Sequence, residues 1–464
     1  MRKLIILLII VSLMNGTGIV RAQDNQPSGP VYIVQRGDNL TSIASQFGIT
    51  QDELIAANAI MDPNLLAVGD QLIIPGLEGI TGVLMTRKVA FGSTLNSLAV
   101  ENTVDRKLLT KLNHITSPIE LYTGVSLIIP EKDQETPVIN KFLLSQGQSI
   151  LEFSVLTNQN PWAVAFQNQL EKPALIPSGQ SLYTSGGENL DGRGLQTLPL
   201  GNVEISPLPM VQGKTIIFKV AAPEGTQLSG KLTDYPIRFF SDGNGSYIAL
   251  QGIHAMQEPG VYPLQISMTT QDGSEYSQEQ MVIIQDGNYG KDPVLMVKDE
   301  FIDPATTQPE LDWLLTQVAP ASPEKLWTGT FYSPSPYSFQ DCLNSRYGNR
   351  RSYNGGPFNN FHSGVDFCGG EGVKIFAAAD GIVVFSGPLT VRGNATLIDH
   401  GWGVFSGYWH QSQSLVNIGD KVVGGQVIGL VGGTGRVTGA HLHWEVWVGG
   451  VQVSPLDWLT ESYP

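Results

Sequence analysis

Apolar residues in the N-terminal part of the chain recur at a fixed step, and the turn residues recur with them. Gly37, Gly92 and Gly147 are 55 residues apart, as are Gly69, Gly124 and Gly179, and Asn58, Asn113 and Asn168 keep the same interval. So do Leu40, Leu95 and Ile150, and Leu72, Leu127 and Leu182, while Thr50, Asp105 and Asn160 put a helix-capping residue type at one common position. In the first copy Val31 to Val34 reads as a strand and Gly37-Asp38 as a turn. Leu40, Ile43, Ala44 and Phe47 then mark one face of a helix stopped by Gly48. Thr50 and Glu53 have the spacing of a capping box for a second helix, and after Gly69-Asp70 a strand Leu72 to Ile74 ends at Pro75. The predicted unit is strand, helix, helix, strand, in three copies over 31–75, 86–130 and 138–185.

The pattern then changes. Residues 186–201 are Gly-rich, lack an apolar period and read as a linker. Over 201–285, alternation at Ile216, Phe218, Val220 and at Leu264, Ile266, Met268, with Asp242-Gly243 and Asp272-Gly273 at turns, predicts an immunoglobulin-like β-sandwich of four to seven strands. Its histidine, His254, stands beside no carboxylate cluster and reads as a surface or satisfied residue. Residues 286–329 read as a connector with one helix around Glu310 to Val318 and no assignable chemistry. The remainder, 330–464, is expected to form one mainly antiparallel β domain. In His441-Leu442-His443-Trp444-Glu445-Val446-Trp447 the two imidazoles fall on one strand face, with Leu442 and Trp444 on the other.

Composition narrows the function. The 464 residues suggest several domains, and 52 Gly with 28 Pro fit many short strands and turns. Lys+Arg 27 against Asp+Glu 42 gives a net charge of −15, which would repel a phosphate backbone and argues against nucleic acid as a partner. Arg2 and Lys3 precede an apolar run from Leu4 to Leu13, and Val20-Arg21-Ala22 offers a cleavage site after Ala22. This is the layout of a secretory signal, too short for a membrane anchor, which places the mature chain in the cell wall, the periplasm or the medium with no membrane contact of its own. In such a compartment the two cysteines, Cys342 and Cys368, are expected to form a disulfide worth about 3 kcal/mol, against the alternatives of two buried thiols or a thiolate zinc site.

Candidate chemistry concentrates at the C-terminal end. Of 7 histidines, His362, His400, His410, His441 and His443 all follow Phe361. In His362-Ser363-Gly364-Val365-Asp366 an extended chain would hold the first and last residues about 13 Å apart, so both reach one ion only if the backbone bends, and Gly364 is there to permit it. Two imidazoles and a carboxylate with a fourth position open to water is the pattern of a catalytic zinc site.

The stretch from Val31 to Pro75 resembles the lysin motif (LysM) family, which implies binding of N-acetylglucosamine-containing glycans such as peptidoglycan. The second and third copies match it in spacing but depart in composition, Phe91-Gly92-Ser93 replacing the Gly-Asp turn, so they are either weak binders or structural. From about Phe331 to Trp458, the HxGxD and HxH motifs, Tyr408-Trp409-His410 between them and the closing Ser454-Pro455-Leu456-Asp457-Trp458 resemble the lysostaphin-like zinc endopeptidases of peptidoglycan. That resemblance implies His362, Asp366 and His443 as zinc ligands, His441 as general base and His410 as a second polarising group. His400 reads as structural, Tyr408 as either an oxyanion partner or a packed core residue, and Arg350, Arg351 and Asn354 as residues of the groove. The expected protein is an exported, multidomain peptidoglycan hydrolase that uses zinc. The competing readings are a catalytically silent docking regulator of other wall hydrolases and a pure glycan-binding wall protein.

Overall fold

The computed structural model describes residues 29–77, 80, 82–117, 120–131, 139–143, 149–170, 181–185, 196–197, 203–271, 273 and 275–464. The expected signal segment and most of the expected 186–201 linker lie outside the described residues. The described residues divide into two compact units, one running to Met85 and including Pro130 and Glu131, the other made of Thr86–Ile129 and the described residues from 139 onward. Among the described residues no helix is long and apolar enough to cross a membrane.

The first repeat has the predicted order: strand Val31–Ile33, helices Leu40–Phe47 and Gln51–Asn58, strand Gln71–Ile73, with the two strands antiparallel. Leu40, Ile43, Ala44 and Phe47 are all buried, Gly48 ends the helix in the left-handed region at φ 66°, and Thr50 and Glu53 cap the second helix reciprocally. Helix pairs recur at Leu95–Glu101 and Arg106–Leu112 and at Ile150–Leu156 and Pro161–Gln167, with Thr50, Asp105 and Asn160 all serving as N-caps. The repeated asparagine explains its own spacing. Asn58 Nδ2 donates to the carbonyls of Leu54 and Ile73, and its Oδ1 accepts from the Ile73 N–H at 2.7 Å. Asn113 does the same with Leu109 and Ile128, and Asn168 with Val164 and Tyr183. In each copy one amide therefore ties the end of the second helix to the strand 15 residues on, satisfying three backbone groups at once.

The first and second repeats differ in what their glycine turns meet. At Gly37 and Gly69 an added Cβ would find nothing within 4 Å. At Gly92 it would lie 2.9 Å from Gln278 Nε2, and at Gly124 3.1 Å from Leu208 Cβ. The Gly92 N–H donates to Gln280 Oε1 at 2.6 Å, Gln280 Nε2 donates to the Leu121 carbonyl, and the Thr123 N–H donates to the Met281 carbonyl at 2.8 Å. Phe91 is buried in the core of the β domain that follows. The substitution of Phe91-Gly92-Ser93 for a Gly-Asp turn therefore has a packing cause.

That β domain holds two sheets of four and five strands, more than the four to seven expected. Ile216, Phe218 and Val220 from one sheet and Leu264, Ile266 and Met268 from the other are all buried in one shared core, as the alternation implied. His254 is half-buried, accepts from the Met256 N–H and packs its ring on Phe361, so it is a satisfied structural residue.

The C-terminal sheet has ten strands, with antiparallel neighbours along a path through Leu343–Ser345, Val365–Phe367, Leu442–Val448, Val404–Ser414, Gly393–Asp399 and Gly381–Leu389. Apolar residues on one face, including Val365, Phe367, Tyr408, Trp444 and Val446, form the main core. On the other face Leu397, Phe405, Trp409 and Trp447 pack against Leu314 and Val318 of a helix Pro304–Val318. That helix begins earlier than expected, at Pro304 behind the N-cap Asp303.

Candidate metal centre

Three neighbouring strands bring the site together. Asp366 lies opposite His443 in the pairing of Val365–Phe367 with Leu442–Val448, and Trp409 lies opposite His443 on the other side. The chain bends at Gly364, as the approach of His362 and Asp366 requires, and glycine is needed there for a second reason. Its added Cβ would lie 2.2 Å from the Trp444 carbonyl oxygen and 2.8 Å from His443 Nε2, so only glycine lets the HxGxD segment close against the His443 strand. The disulfide Cys342–Cys368 joins the strands Leu343–Ser345 and Val365–Phe367 at the end of the same segment.

His362 Nε2, Asp366 Oδ1 and His443 Nδ1 form a triangle with edges of 3.0, 2.9 and 2.8 Å, and all three residues are buried. Their outer hydrogen bonds fix where the protons are. His362 Nδ1 faces the Arg346 carbonyl and Ser345 Oγ at 3.0 Å, the latter hydroxyl being spent on Asp292, so Nδ1 carries the hydrogen and Nε2 is bare. His443 Nε2 donates to Glu445 Oε1 at 3.1 Å, which leaves its Nδ1 bare. Two lone pairs and a carboxylate oxygen thus converge with no hydrogen between them, an arrangement that repels itself unless a cation sits at its centre. The donor set of two neutral imidazoles and one carboxylate, with ligand-to-ligand distances near 3 Å, fits a small divalent metal.

The electrostatics agree. Burial pushes the His362 pKa down to about 4, so it is neutral. Burial works against ionisation of Asp366, but the surrounding imidazoles, His362 first and then His441 and His443, favour its charged form and hold its carboxyl well below the usual range. Glu445 is held at about 2 because Arg392 and the His443 hydrogen bond outweigh its burial. For His443 burial opposes the charge while hydrogen bonds to Asp366 and Glu445 raise its pKa, which means that without a metal a proton is drawn to the same lone pair.

His441 and His410 face this triangle. His441 Nδ1 donates to the Gly439 carbonyl at 2.8 Å, and its bare Nε2 lies 3.5 Å from Asp366 Oδ1. His410 Nδ1 donates to the Thr434 carbonyl at 2.8 Å, and its ring lies 5.1 Å from that of His441. Burial, followed by the two neighbouring imidazoles, holds its pKa well below the ordinary value. Tyr408 and His410 do not share a strand face as simple alternation requires, because His410 sits in the left-handed region at φ 64° and turns out of register. Tyr408 is a core residue: fully buried, its hydroxyl accepts from the Ala378 N–H and Ser406. His400 is likewise structural, held by the Asp380 carbonyl and Ser406. Of the expected groove residues, Arg351 lines the cavity, Arg350 donates to the Ala255 carbonyl instead, and Asn354 binds the Val297 backbone.

The connector, expected to be inert, supports the site. Its Asp292 accepts from Arg351 Nε at 2.9 Å, and Arg351 Nη2 donates to Asp366 Oδ2 at 3.0 Å. Its Glu310 is buried, accepts from the Val391 and Arg392 N–H groups and from Arg392 Nη1, and Arg392 in turn lies 3.9 Å from Glu445. Two carboxylates of the connector thus hold two arginines; Arg351 faces Asp366, itself a candidate ligand, and Arg392 faces Glu445, which touches His443. Leu295 and Val297 of the connector line the same cavity, of about 110 Å³, with Asp366, His441 and His443. Glu445 was legible, since the alternation that pairs His441 with His443 extends to it. Nothing local in the sequence marks Asp292 or Glu310.

Residues 360–455 match the model of peptidase family M23, and residues 32–75 and 88–130 match that of the LysM domain. The DD-carboxypeptidase/endopeptidase Mpg of Neisseria meningitidis is 43% identical over 96 residues, covering 21% of this chain and 22% of that protein. The peptidoglycan DD-endopeptidase ShyC of Vibrio cholerae is 43% identical over 94 residues, covering 20% and 22%. The chain therefore spans under a quarter of the length of these curated relatives. The solved catalytic domain of the antimicrobial peptidase lysostaphin from Staphylococcus simulans is 29% identical, with 29% of this chain and 93% of that one covered at a TM-score of 0.22. Residues 360–455 are thus similar to peptidase family M23, and residues 32–75 and 88–130 to the LysM domain.

Proposed function

We propose that this chain is an exported peptidoglycan hydrolase that cuts peptide stems or cross-bridges at a zinc site held by His362, Asp366 and His443. The observation that carries this reading is the convergence of two bare imidazole nitrogens and a carboxylate oxygen within 3.0 Å of one another. Zinc bound there would polarise the scissile carbonyl and lower the pKa of a water toward about 7. His441, its Nδ1–H tied to Gly439, presents a bare Nε2 that takes up the proton from the attacking water. His410 also presents a bare nitrogen and is neutral, so it accepts a hydrogen bond in the resting state. It can polarise a carbonyl only after taking up a proton of its own. Arg351 holds the second oxygen of Asp366 in place, and Glu445 fixes the tautomer of His443.

The first repeat is the glycan-binding unit in this reading. Its two glycine turns are open, and Met61, Leu65 and Val68 beside them are exposed, offering apolar contact to a neutral sugar face. The second repeat uses the same turns as a bracket against the β domain. Residues 138–185 are read as a third LysM-like unit on the strength of the Asn168 clamp, and residues 201–285 as an immunoglobulin-like spacer. A wall-bound arm raises the local concentration of substrate for the catalytic head. Digestion of purified sacculi by the zinc-loaded chain, with fragments identified by mass spectrometry, tests the reading. His441→Ala should keep its metal and lose about 10²- to 10⁴-fold in rate. Clearing of sacculi at the wild-type rate by that variant would defeat the enzyme reading and favour a docking regulator.

A further inference from the structure

Three arginines, Arg351, Arg392 and Arg436, line the cavity beside the candidate metal centre. Two are matched. Arg351 is shared between Asp292 and Asp366, and Arg392 between Glu310 and Glu445. The cavity's own carboxylates, Asp366 and Glu445, are also committed, the first to Arg351 and the imidazoles, the second to Arg392, His443, Ser363 and Trp447. Arg436 is different. Among the described residues no carboxylate lies within ion-pair distance of it. Its Nη1 donates to the Phe301 carbonyl at 3.1 Å, and its guanidinium lies over the Tyr353 ring at 4.8 Å. These contacts hold the fork rigid without cancelling its charge, and they leave its remaining N–H groups free to serve a ligand in the cavity.

An unmatched, half-buried guanidinium is costly to keep unless something anionic completes it in use. A divalent cation in the neighbouring triangle would add to the positive potential. With that ion bound, the three arginines and the cation would outweigh the four carboxylates Asp292, Asp366, Glu310 and Glu445, leaving a local positive excess on a chain whose net charge is −15.

We propose that Arg436 is the carboxylate-recognition residue of this pocket, so that the preferred substrate is a peptide carrying a free carboxylate on or next to the residue at the cleaved bond. This rests on the peptidase reading above. It names a substrate feature that the ligand set does not determine, since a metal and a base act on any peptide bond within reach. A planar fork held by a carbonyl and a ring is suited to two parallel hydrogen bonds with a carboxylate, and less so to a neutral carboxamide.

The test uses the zinc-loaded full chain and cross-linked stem peptides purified from sacculi, in free-acid form and after carbodiimide amidation of their carboxylates. Both are assayed for cleavage, and equilibrium binding of the cleavage products or, failing cleavage, of the intact peptides is measured alongside. Wild type should favour the free acid by about 10- to 100-fold, mostly in KM, the range for one charge-assisted hydrogen-bonded pair. Arg436→Gln should lower the free acid to the level of the amide and leave the amide unchanged, with Arg436→Lys between. Equal treatment of acid and amide by wild type, or an equal loss on both in Arg436→Gln at wild-type Tm and metal content, would overturn the proposal. If Arg436→Gln does not fold, the wild-type comparison and Arg436→Lys still decide it. Failure of wild type to cut either peptide would sink the peptidase reading, while the binding preference would still judge Arg436 separately.

Discussion

The metal-site region and the first repeat commit their polar groups in opposite ways. Around His362, Asp366 and His443 the polar atoms are buried, and each is held by a second group that is itself held, out to Asp292 and Glu310 on the connector. In the first repeat the turns at Gly37 and Gly69 stand in solvent, and the Asp38 carboxylate accepts from the Tyr32 hydroxyl and the Gln35 N–H, each at 2.8 Å. A buried network loses much when one member goes, because partners are left without solvent to replace it. An exposed turn loses little, because water substitutes. The second repeat lies between: it has the first repeat's build but has buried its turns against a neighbour.

This difference sets the expected order of effects. Asp366→Asn should abolish tight metal binding and wall digestion together, read as metal content after dialysis and as fragment release; retained metal would break the ligand assignment. Glu445→Gln keeps shape but weakens the hold on the His443 tautomer, and should cost about 10- to 100-fold in metal affinity. An unchanged zinc titration would show that the outer carboxylate does not matter. Reduction of Cys342–Cys368 should lower stability by about 3 kcal/mol and weaken metal retention with it, since the bond braces the segment carrying Asp366. A fall in Tm with unchanged metal would separate the two. Gln280→Ala removes the amide that joins the second repeat to the β domain, and should cost about 1–3 kcal/mol of stability with no change in chitin-oligosaccharide affinity. Asp38→Ala should do the reverse on a smaller scale: about 1 kcal/mol or less of stability, and a few-fold loss of that affinity in calorimetric titration.

Much of this was legible because the signals were local. Helix faces, the Gly48 stop and the Thr50–Glu53 cap are written within a turn or two of themselves, and the alternation at Ile216 or Leu264 depends only on the strand period. The HxGxD and HxH motifs likewise contain His362, Asp366 and His443, the three residues that the structure brings together. What was not legible is long-range. Gly364 is fixed by the backbone of Trp444, the turn at Gly92 by Gln280, and the left-handed backbone of His410 breaks the alternation that would have placed Tyr408 beside it. Asp292 and Glu310 belong to a stretch with no motif, and their meaning comes only from the arginines they meet.

The claim on which the rest depends is that three lone pairs at the C-terminal sheet share one divalent cation. Saturating the purified full chain with zinc, dialysing it and counting ions by elemental analysis tests this directly. One ion per wild-type chain, lost on His362→Ala in a protein that still unfolds cooperatively, is the expected result. A folded wild-type chain that emerges empty, or a His362→Ala chain that keeps its ion, would contradict it.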